Sequence, residues 1–290
     1  MATYFPRSLP GIVVLGGDRR EAELVARWRQ RGGSAHLFGQ NPTEGRTPPP
    51  ALLTGALVVA PPSGIDASGR VRGPAGALYL PAAHLAASVG VVAGAVAAAW
   101  AARLSVPWAA YRERAEFAWP NAIPTAEGAL AWALGTGTTT VRGSRLLVAG
   151  LGRVGTALAV RARALGADVV VVDRDPGARG RARTLCLGAA PFSPGVLAGA
   201  DYLFNTVPAP VFGASDVWVL PPRARVLDLA SAPGGFAAEA VAWLGSRLTV
   251  DRSVPGRVAP AAAAAVLECC VVEIWQEWCD EGRAEKGDAR

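Results

Sequence analysis

Residues 144–173 read SRLLVAGLGRVGTALAVRARALGADVVVVD. An apolar run, Leu146 to Ala149, enters three glycines spaced G-x-G-x-x-G at Gly150, Gly152 and Gly155. A stretch with apolar residues at helical spacing follows, closed by Gly166, and a second apolar run ends on Asp173. Strand, glycine turn, amphipathic helix and strand in that order open a βαβ unit of a parallel sheet. Gly150 permits the tight turn, Gly152 removes the Cβ that would block a pyrophosphate, and Gly155 lets helix and sheet approach. The amides at the helix start then face the diphosphate of a nicotinamide dinucleotide. Contacts to that cofactor are expected from Gly150, Leu151, Gly152, Arg153, Val154 and Gly155. Asp173 is placed to accept from the adenosine ribose hydroxyls, which favours NAD, whereas Arg174, with Arg179 nearby, suits the 2′-phosphate of NADP. The motif leaves NADP and NAD both open.

The same pattern occurs once more, as GIVVLGGDRREAELVARWRQRGGSAHLFG from Gly11. The expected fold is therefore α/β, with two doubly wound, Rossmann-like domains in series. Residues 1–120 read as an N-terminal, Rossmann- or flavodoxin-like domain, 121–142 as a hinge helix, and 143–259 as the NAD(P)-binding domain. An apolar helix over 260–278 is expected to return to the first domain, and 279–290 to form a flexible, solvated tail. In the first half the fingerprint is broken, since Gly16-Gly17-Asp18 sets a carboxylate where a pyrophosphate would sit and no third glycine follows. Arg19 and Arg20 either meet a small anion or stand as solvated charge, so this half reads as a substrate domain facing the cofactor across a cleft. Elsewhere, GALVVAPP (55–62), DYLFNTVPAPV (201–211) and RVLDLAS (225–231) read as strands. Open parallel sheets bind ligands at the C-terminal ends of their strands, which adds Thr206, Val207, Pro208, Leu229 and Ala230 to the cofactor contacts.

Composition narrows the classes. An apolar fraction of 51% over 290 residues supplies an ordinary core and excludes a disordered chain. The net charge of +6 comes from arginines scattered singly, without the clustering and interleaved aromatics of a nucleic-acid binder. Cys186, Cys269, Cys270 and Cys279 have neither C-x-x-C spacing nor neighbouring histidines, so no metal site and no disulfide framework is expected. MATYFPRSLPG lacks the apolar core of a secretory signal, and a cytoplasmic protein is expected. Leu85 to Ala102 carries no charge, but its alanine, glycine and valine gain little from lipid; packed structure is favoured over a membrane span.

Hydride transfer belongs to the cofactor, and the protein has to place a substrate and manage a proton. Dehydrogenases of 2-hydroxy acids with a similar two-domain layout use a histidine in the second half of the chain, but His36 and His84 both fall in the first half. Together VVLGGDRRE, NAIPTAEGA (121–129), VAGLGRVG, NTVPAPV, LDLASAPGG (227–235) and VPGRVAP (254–260) resemble the A subunit of dipicolinate synthase from spore-forming bacteria, over roughly residues 11–278. That resemblance implies oxidation of dihydrodipicolinate to dipicolinate with NAD(P)+, in the mother cell during sporulation and alongside a flavoprotein-like B subunit. The chain departs from the family where Ala261 to Ala265 replace a lysine, a threonine and a glycine, and where Asp173 replaces a small residue before Arg174.

A flat pyridine dicarboxylate needs two anion-binding points. Candidates are Thr125 at an expected helix start, Asn121, Ser63, Arg257, and Asp18 with Arg19 in the first glycine turn. The ring proton would go to water, to Glu127, or to Asp228 at a strand end. A homo-oligomer is expected in addition to the B-subunit complex. Two other readings stand beside this one: an NAD(P)-dependent dehydrogenase of a 2-hydroxy or 2-keto acid, and a dinucleotide-binding regulatory subunit without chemistry of its own.

Overall fold

The computed structural model describes residues 9–41, 43, 45–137 and 139–287. The chain divides into two units, Met1–Asn121 with Pro255–Arg290, and Ala122–Val254.

The first unit begins with β1 (Ile12–Leu15), four apolar residues that are all buried. Unbroken burial means that both faces of the strand are covered, the situation of an inner strand in a parallel sheet. With β2 (Ala35–Phe38), β3 (Leu57–Val59), β6 (Gly90–Ala93) and β7 (Trp108–Ala110) it forms a parallel sheet in the order β2-β1-β3-β6-β7. Between β3 and β6 the chain makes an antiparallel hairpin of β4 (Arg70–Gly73) and β5 (Gly76–Tyr79). Side chains alternate across β1. Ile12 and Val14 pack with Leu24 and Trp28 of helix Arg19–Gln30, and Val13 and Leu15 with Phe38, Leu53, Val71 and Trp100 on the other side. The uncharged stretch from Leu85 divides into β6 and a short helix, Ala98–Ala101. Among the described residues no helix is long and apolar enough to cross a membrane.

The last helix, Pro260–Gly287, returns to this unit and buries Ala264, Leu267, Val271 and Ile274 in the Ile12 cluster. Glu268 lies on its buried face with no exposed surface. A lone carboxylate there would be costly, and it is answered by Arg27 Nη2 and Arg31 Nε, each 2.6 Å from one of its oxygens. Burial pushes the Cys270 thiol up to about 12, so it packs as a small apolar group. The helix extends past residue 278 to Gly287, where a tail was expected. Adding residues to an existing helix needs no new nucleus, and Glu281, Ala284, Glu285 and Lys286 are good helix formers. Residues 288–290 of the expected tail lie outside the described residues.

The expected hinge helix is displaced. It spans Ala115–Thr136, so the helix start expected at Thr125 lies well inside it. Each interior proline costs roughly 3 kcal/mol, but the helix carries Phe117 into the first unit's core and Ala126, Ala129, Leu130 and Ala133 into the second's. Tertiary burial along its length outweighs the local signal.

The second unit contains β8 (Arg145–Ala149), β9 (Asp168–Val172), β10 (Gly188–Ala190), β11 (Tyr202–Asn205), β12 (Arg225–Asp228) and β13 (Leu248–Val250). They pair in parallel in the order β10-β9-β8-β11-β12-β13. Leu146 and Val148 of β8 face one core with Leu158 and Phe204, and Leu147 and Ala149 face the other with Phe212 and Ala240. The chain winds outward from β8 through β9 to β10, then crosses back to β11 and winds the other way. That reversal between β8 and β11 is the switch point of a doubly wound sheet, where ligands bind beyond the strand ends. Both units are thus doubly wound α/β, the class read from the sequence.

Candidate functional site: the glycine turn at the switch point

Beyond β8 the chain turns through Gly150, whose φ of +87° is open to glycine and strained for other residues. A Cβ there would also lie 2.8 Å from Thr206 Oγ1 and Val207 Cγ2. Gly155 sits where a Cβ would be 2.0 Å from the Gly150 carbonyl oxygen, so the helix can rest directly on the turn. Gly152 differs from both. It starts helix Arg153–Ala164 in extended conformation, and among the described residues no side chain caps it and nothing comes within 4 Å of where its Cβ would be. A helix N-terminus with an uncapped first residue and clear space above it fits a pyrophosphate.

At the end of β9 the Asp173 carboxylate is held from both sides, accepting from the Leu151 amide at 3.0 Å and the Asp175 amide at 2.9 Å. Arg179 Nη1 donates to the carbonyls of Asp173 and Arg174, while the Arg174 side chain is exposed. Asp175 caps helix Pro176–Thr184, and the amides of Gly177 and Ala178 hold its carboxyl below the usual value. At the end of β11 Thr206 Oγ1 donates to the Ala149 carbonyl at 2.8 Å, tying the Thr206-Val207-Pro208 loop to the glycine turn.

Asp228 ends β12 and is 3% exposed. One oxygen accepts from Asn205 Nδ2 at 2.8 Å and the Ala230 amide at 3.1 Å, the other from the Gly235 amide at 3.1 Å. Three donors leave it poorly placed to take a ring proton and well placed to hold the loop from Leu229 to Gly235. Glu127 faces outward on the long helix, 3.4 Å from Arg161 Nε. Arg252, just past β13, was not singled out from the sequence. Its Nε donates to the Ala230 carbonyl at 3.1 Å, which sets the guanidinium at the C-terminal edge of the sheet. A lone arginine after a short strand carries no motif, and only the pairing of β12 with β13 brings it there.

In the first unit the corresponding turn is closed. The Gly17 amide donates to the Arg72 carbonyl at 2.9 Å, and the Asp18 amide to Glu21 Oε2 at 2.6 Å. The Asp18 side chain caps helix Arg19–Gln30 through the Arg20 amide. The sequence reading made Asp18 the group that bars a diphosphate; the carboxylate that fills the turn belongs to Glu21, against which a Gly17 Cβ would lie at 2.2 Å. The spacing of Asp18 and Glu21 is that of a capping box, the signal from which this was readable. Arg20, with 3% of its surface exposed, reaches Asn121 Oδ1 at 3.5 Å and Asp18 Oδ2 at 3.6 Å, whereas Arg19 points to solvent. Gly256 packs on the Asp18 carboxylate, 2.0 Å from where its Cβ would be. Arg20 therefore reaches both Asp18 and Asn121, and the glycine of PGRVAP packs on Asp18, while Ser63 and Arg257 lie exposed. Thr125 is buried inside the long helix and marks no helix end.

A doubly wound parallel sheet with an open glycine turn at its switch point is the arrangement that binds a dinucleotide such as NAD(P). Residues 125–211 match the family described as D-isomer specific 2-hydroxyacid dehydrogenase, NAD binding domain. The chain is similar, more particularly, to the A subunit of dipicolinate synthase from Bacillus subtilis (strain 168), 35% identical over 162 residues. That match covers 53% of this chain and about half, 53%, of the relative's length. The crystal structure of the corresponding dipicolinate synthase component from Bacillus halodurans superposes with a TM-score of 0.78 at 25% identity, over 91% of this chain and 97% of that one. Its counterpart from Bacillus subtilis gives 0.78 at 26% identity, over 93% and 97%. The resemblance read from the motifs is borne out in sequence and in fold, and NAD(P) is the cofactor that the matched domain binds.

Proposed function

We propose that this chain is the A subunit of a dipicolinate synthase, which removes two hydrogens from dihydrodipicolinate to give dipicolinate. The observation that carries this reading is the likeness to the two dipicolinate synthase structures along more than nine-tenths of the chain, 91% and 93%. In this reading Gly150, Leu151, Gly152, Arg153, Val154 and Gly155 hold the pyrophosphate of NAD(P), and Asp173 and Arg174 stand at the adenosine ribose. Thr206, Val207, Pro208, Leu229 and Ala230 line the nicotinamide half. When bound, the cofactor supplies a hydride acceptor. The substrate loses that hydride and one proton, and because the product ring is aromatic, water suffices as proton acceptor. The three protein donors on Asp228 and the ion pair of Glu127 support this over a carboxylate base. Arg20 and Asn121, more than Arg19, Ser63 and Arg257, are suited to an anionic substrate group by their proximity to each other. The proposal includes a B-subunit partner, a cytoplasmic location and a role in sporulation.

A second reading, oxidation of a 2-hydroxy acid, draws on the family match at residues 125–211. The lack of histidine in the second half of the chain weighs against it. The test is to supply freshly made dihydrodipicolinate to the purified chain, with and without its B subunit, with NAD+ or NADP+, and to follow the ultraviolet band of dipicolinate. Cofactor-dependent dipicolinate formation is the expected result. No formation under any condition, with turnover of D-lactate or D-glycerate instead, would move the assignment to the second reading.

A further inference from the structure

We infer that Arg252 is the carboxylate-binding cation at the nicotinamide end of the second unit, an inference that rests on the proposed oxidation of a dicarboxylate. The sheet order separates two ends of the ligand crevice. Asp173 ends β9 on one side of the glycine turn, and Asp228 and Arg252 follow β12 and β13 on the other. Adjacent strands lie roughly 4.8 Å apart, so the end of β12 is about 10 Å from that of β8 across the sheet. A dinucleotide held at the glycine turn after β8, with its adenosine toward Asp173, would present its reacting half to the residues that follow β11 and β12. Arg252 stands beside that half.

Three features of its geometry suit an anion. First, Nε is committed to the Ala230 carbonyl, which fixes the plane of the guanidinium. Second, among the described residues neither Nη group has an acidic partner or an accepting carbonyl, and the side chain is exposed. Third, the point where a Gly234 Cβ would be lies 3.5 Å from Nη2 and 2.6 Å from Asp228 Oδ2, so the glycine keeps a side chain out of the room between the guanidinium and that carboxylate. Asp228 has no need of Arg252 as counter-charge, because two amides and the Asn205 side chain already satisfy its oxygens. An oriented guanidinium with two uncommitted Nη groups pairs with a planar carboxylate through parallel hydrogen bonds. Arg252 lies on the far side of the sheet from Asp173, which makes it a contact to the substrate and not to a 2′-phosphate.

The test uses the full chain loaded with NADH or NADPH and titrated with dipicolinate and with picolinate, which lacks one carboxylate, following tryptophan fluorescence or heat. Wild type should bind dipicolinate. Arg252→Gln should weaken it roughly 10- to 100-fold, Arg252→Lys less, with coenzyme affinity and Tm unchanged. Equal dipicolinate affinity in wild type and Arg252→Gln would overturn the inference and leave the proposed function standing. So would a joint loss of coenzyme affinity and Tm, which would make Arg252 a support for the Ala230 loop. If wild type ignored dipicolinate but bound D-lactate or pyruvate through Arg252, the carboxylate site would stand and the dicarboxylate reading would fall. Binding of none of these acids would overturn both.

Discussion

Each unit carries a strand that runs through a glycine turn into a helix, yet the two turns are finished in opposite ways. In the first, Glu21 folds back onto the Asp18 amide and the Arg72 carbonyl takes the Gly17 amide. In the second, Gly152 begins its helix with no side-chain cap and nothing above it. The difference teaches that a glycine turn becomes an anion site only if the helix start that follows it is left without a side-chain cap. One carboxylate three residues further on is enough to convert a potential phosphate site into a sealed helix start.

The largest expected effect comes from closing the open turn. Gly152 has φ −78° and ψ −162°, extended values that any residue adopts, and its Cβ position is clear. Gly152→Val should therefore cost stability only about 1 kcal/mol, valine being the poorer helix N-cap, and fill the space that a pyrophosphate needs. Coenzyme affinity, measured by calorimetry, should fall at least about 100-fold, equivalent to roughly 2.7 kcal/mol. Wild-type affinity in this variant would mean that the cofactor lies elsewhere.

The reverse result is expected from the closed turn. Gly17 has φ +82°, and a Cβ would stand 2.2 Å from Glu21 Cδ. Gly17→Ala should destabilise the protein by about 2–4 kcal/mol, combining left-handed strain with the loss of a buried hydrogen bond. Chemical denaturation measures the loss, and coenzyme affinity should stay unchanged in the folded fraction. A Gly17→Ala protein that kept its stability but bound coenzyme less well would invert the comparison, making the first turn the working one.

How much of this was readable beforehand follows the same division. Short-range patterns translated directly: apolar runs became the inner parallel strands β1, β8 and β11, and the spacing of Gly150, Gly152 and Gly155 matched a turn in which the first and third are sterically required and the second leaves the space at the helix start open. What failed depended on distant packing. Pro124 and Thr125 look like a helix start locally, but Phe117 and Ala122 are buried on the turns before them and carry the helix back to Ala115. Of the neighbours Arg19 and Arg20, only the helix orientation decides that the second goes inward to Asn121. Arg252 becomes noticeable only once β13 lies against β12. The role of Glu21 was within reach, because an acid three residues after Asp18 is a local signal.

The smallest expected effect tests whether the closed turn is held by a charged or a neutral acid. Burial first, and the neighbouring Asp18 carboxylate second, push Glu21 up to about 7, against the opposing pull of Arg20 and of backbone amides. Among the described residues its Oε1 has no hydrogen-bond partner, and the groups around it are Asp18, Arg20 and the buried Tyr111 hydroxyl, whose own value burial raises. In the unfolded chain the same acid ionises at its ordinary 4.5. Between those values the folded protein holds a proton that the unfolded chain has lost, so this contribution is complete below pH 4.5 and declines as pH rises toward 7. Above it, keeping the charge buried costs on the order of 1–3 kcal/mol. Glu21→Gln keeps an oxygen for the Asp18 amide and removes the titration. Wild type should therefore lose a few degrees more of Tm than this variant between pH 5.5 and pH 8, with coenzyme affinity alike in both. Parallel melting curves across that range would mean that Glu21 is ionised throughout and that the first turn is sealed by an internal anion, the same chemistry that the second turn keeps for its cofactor.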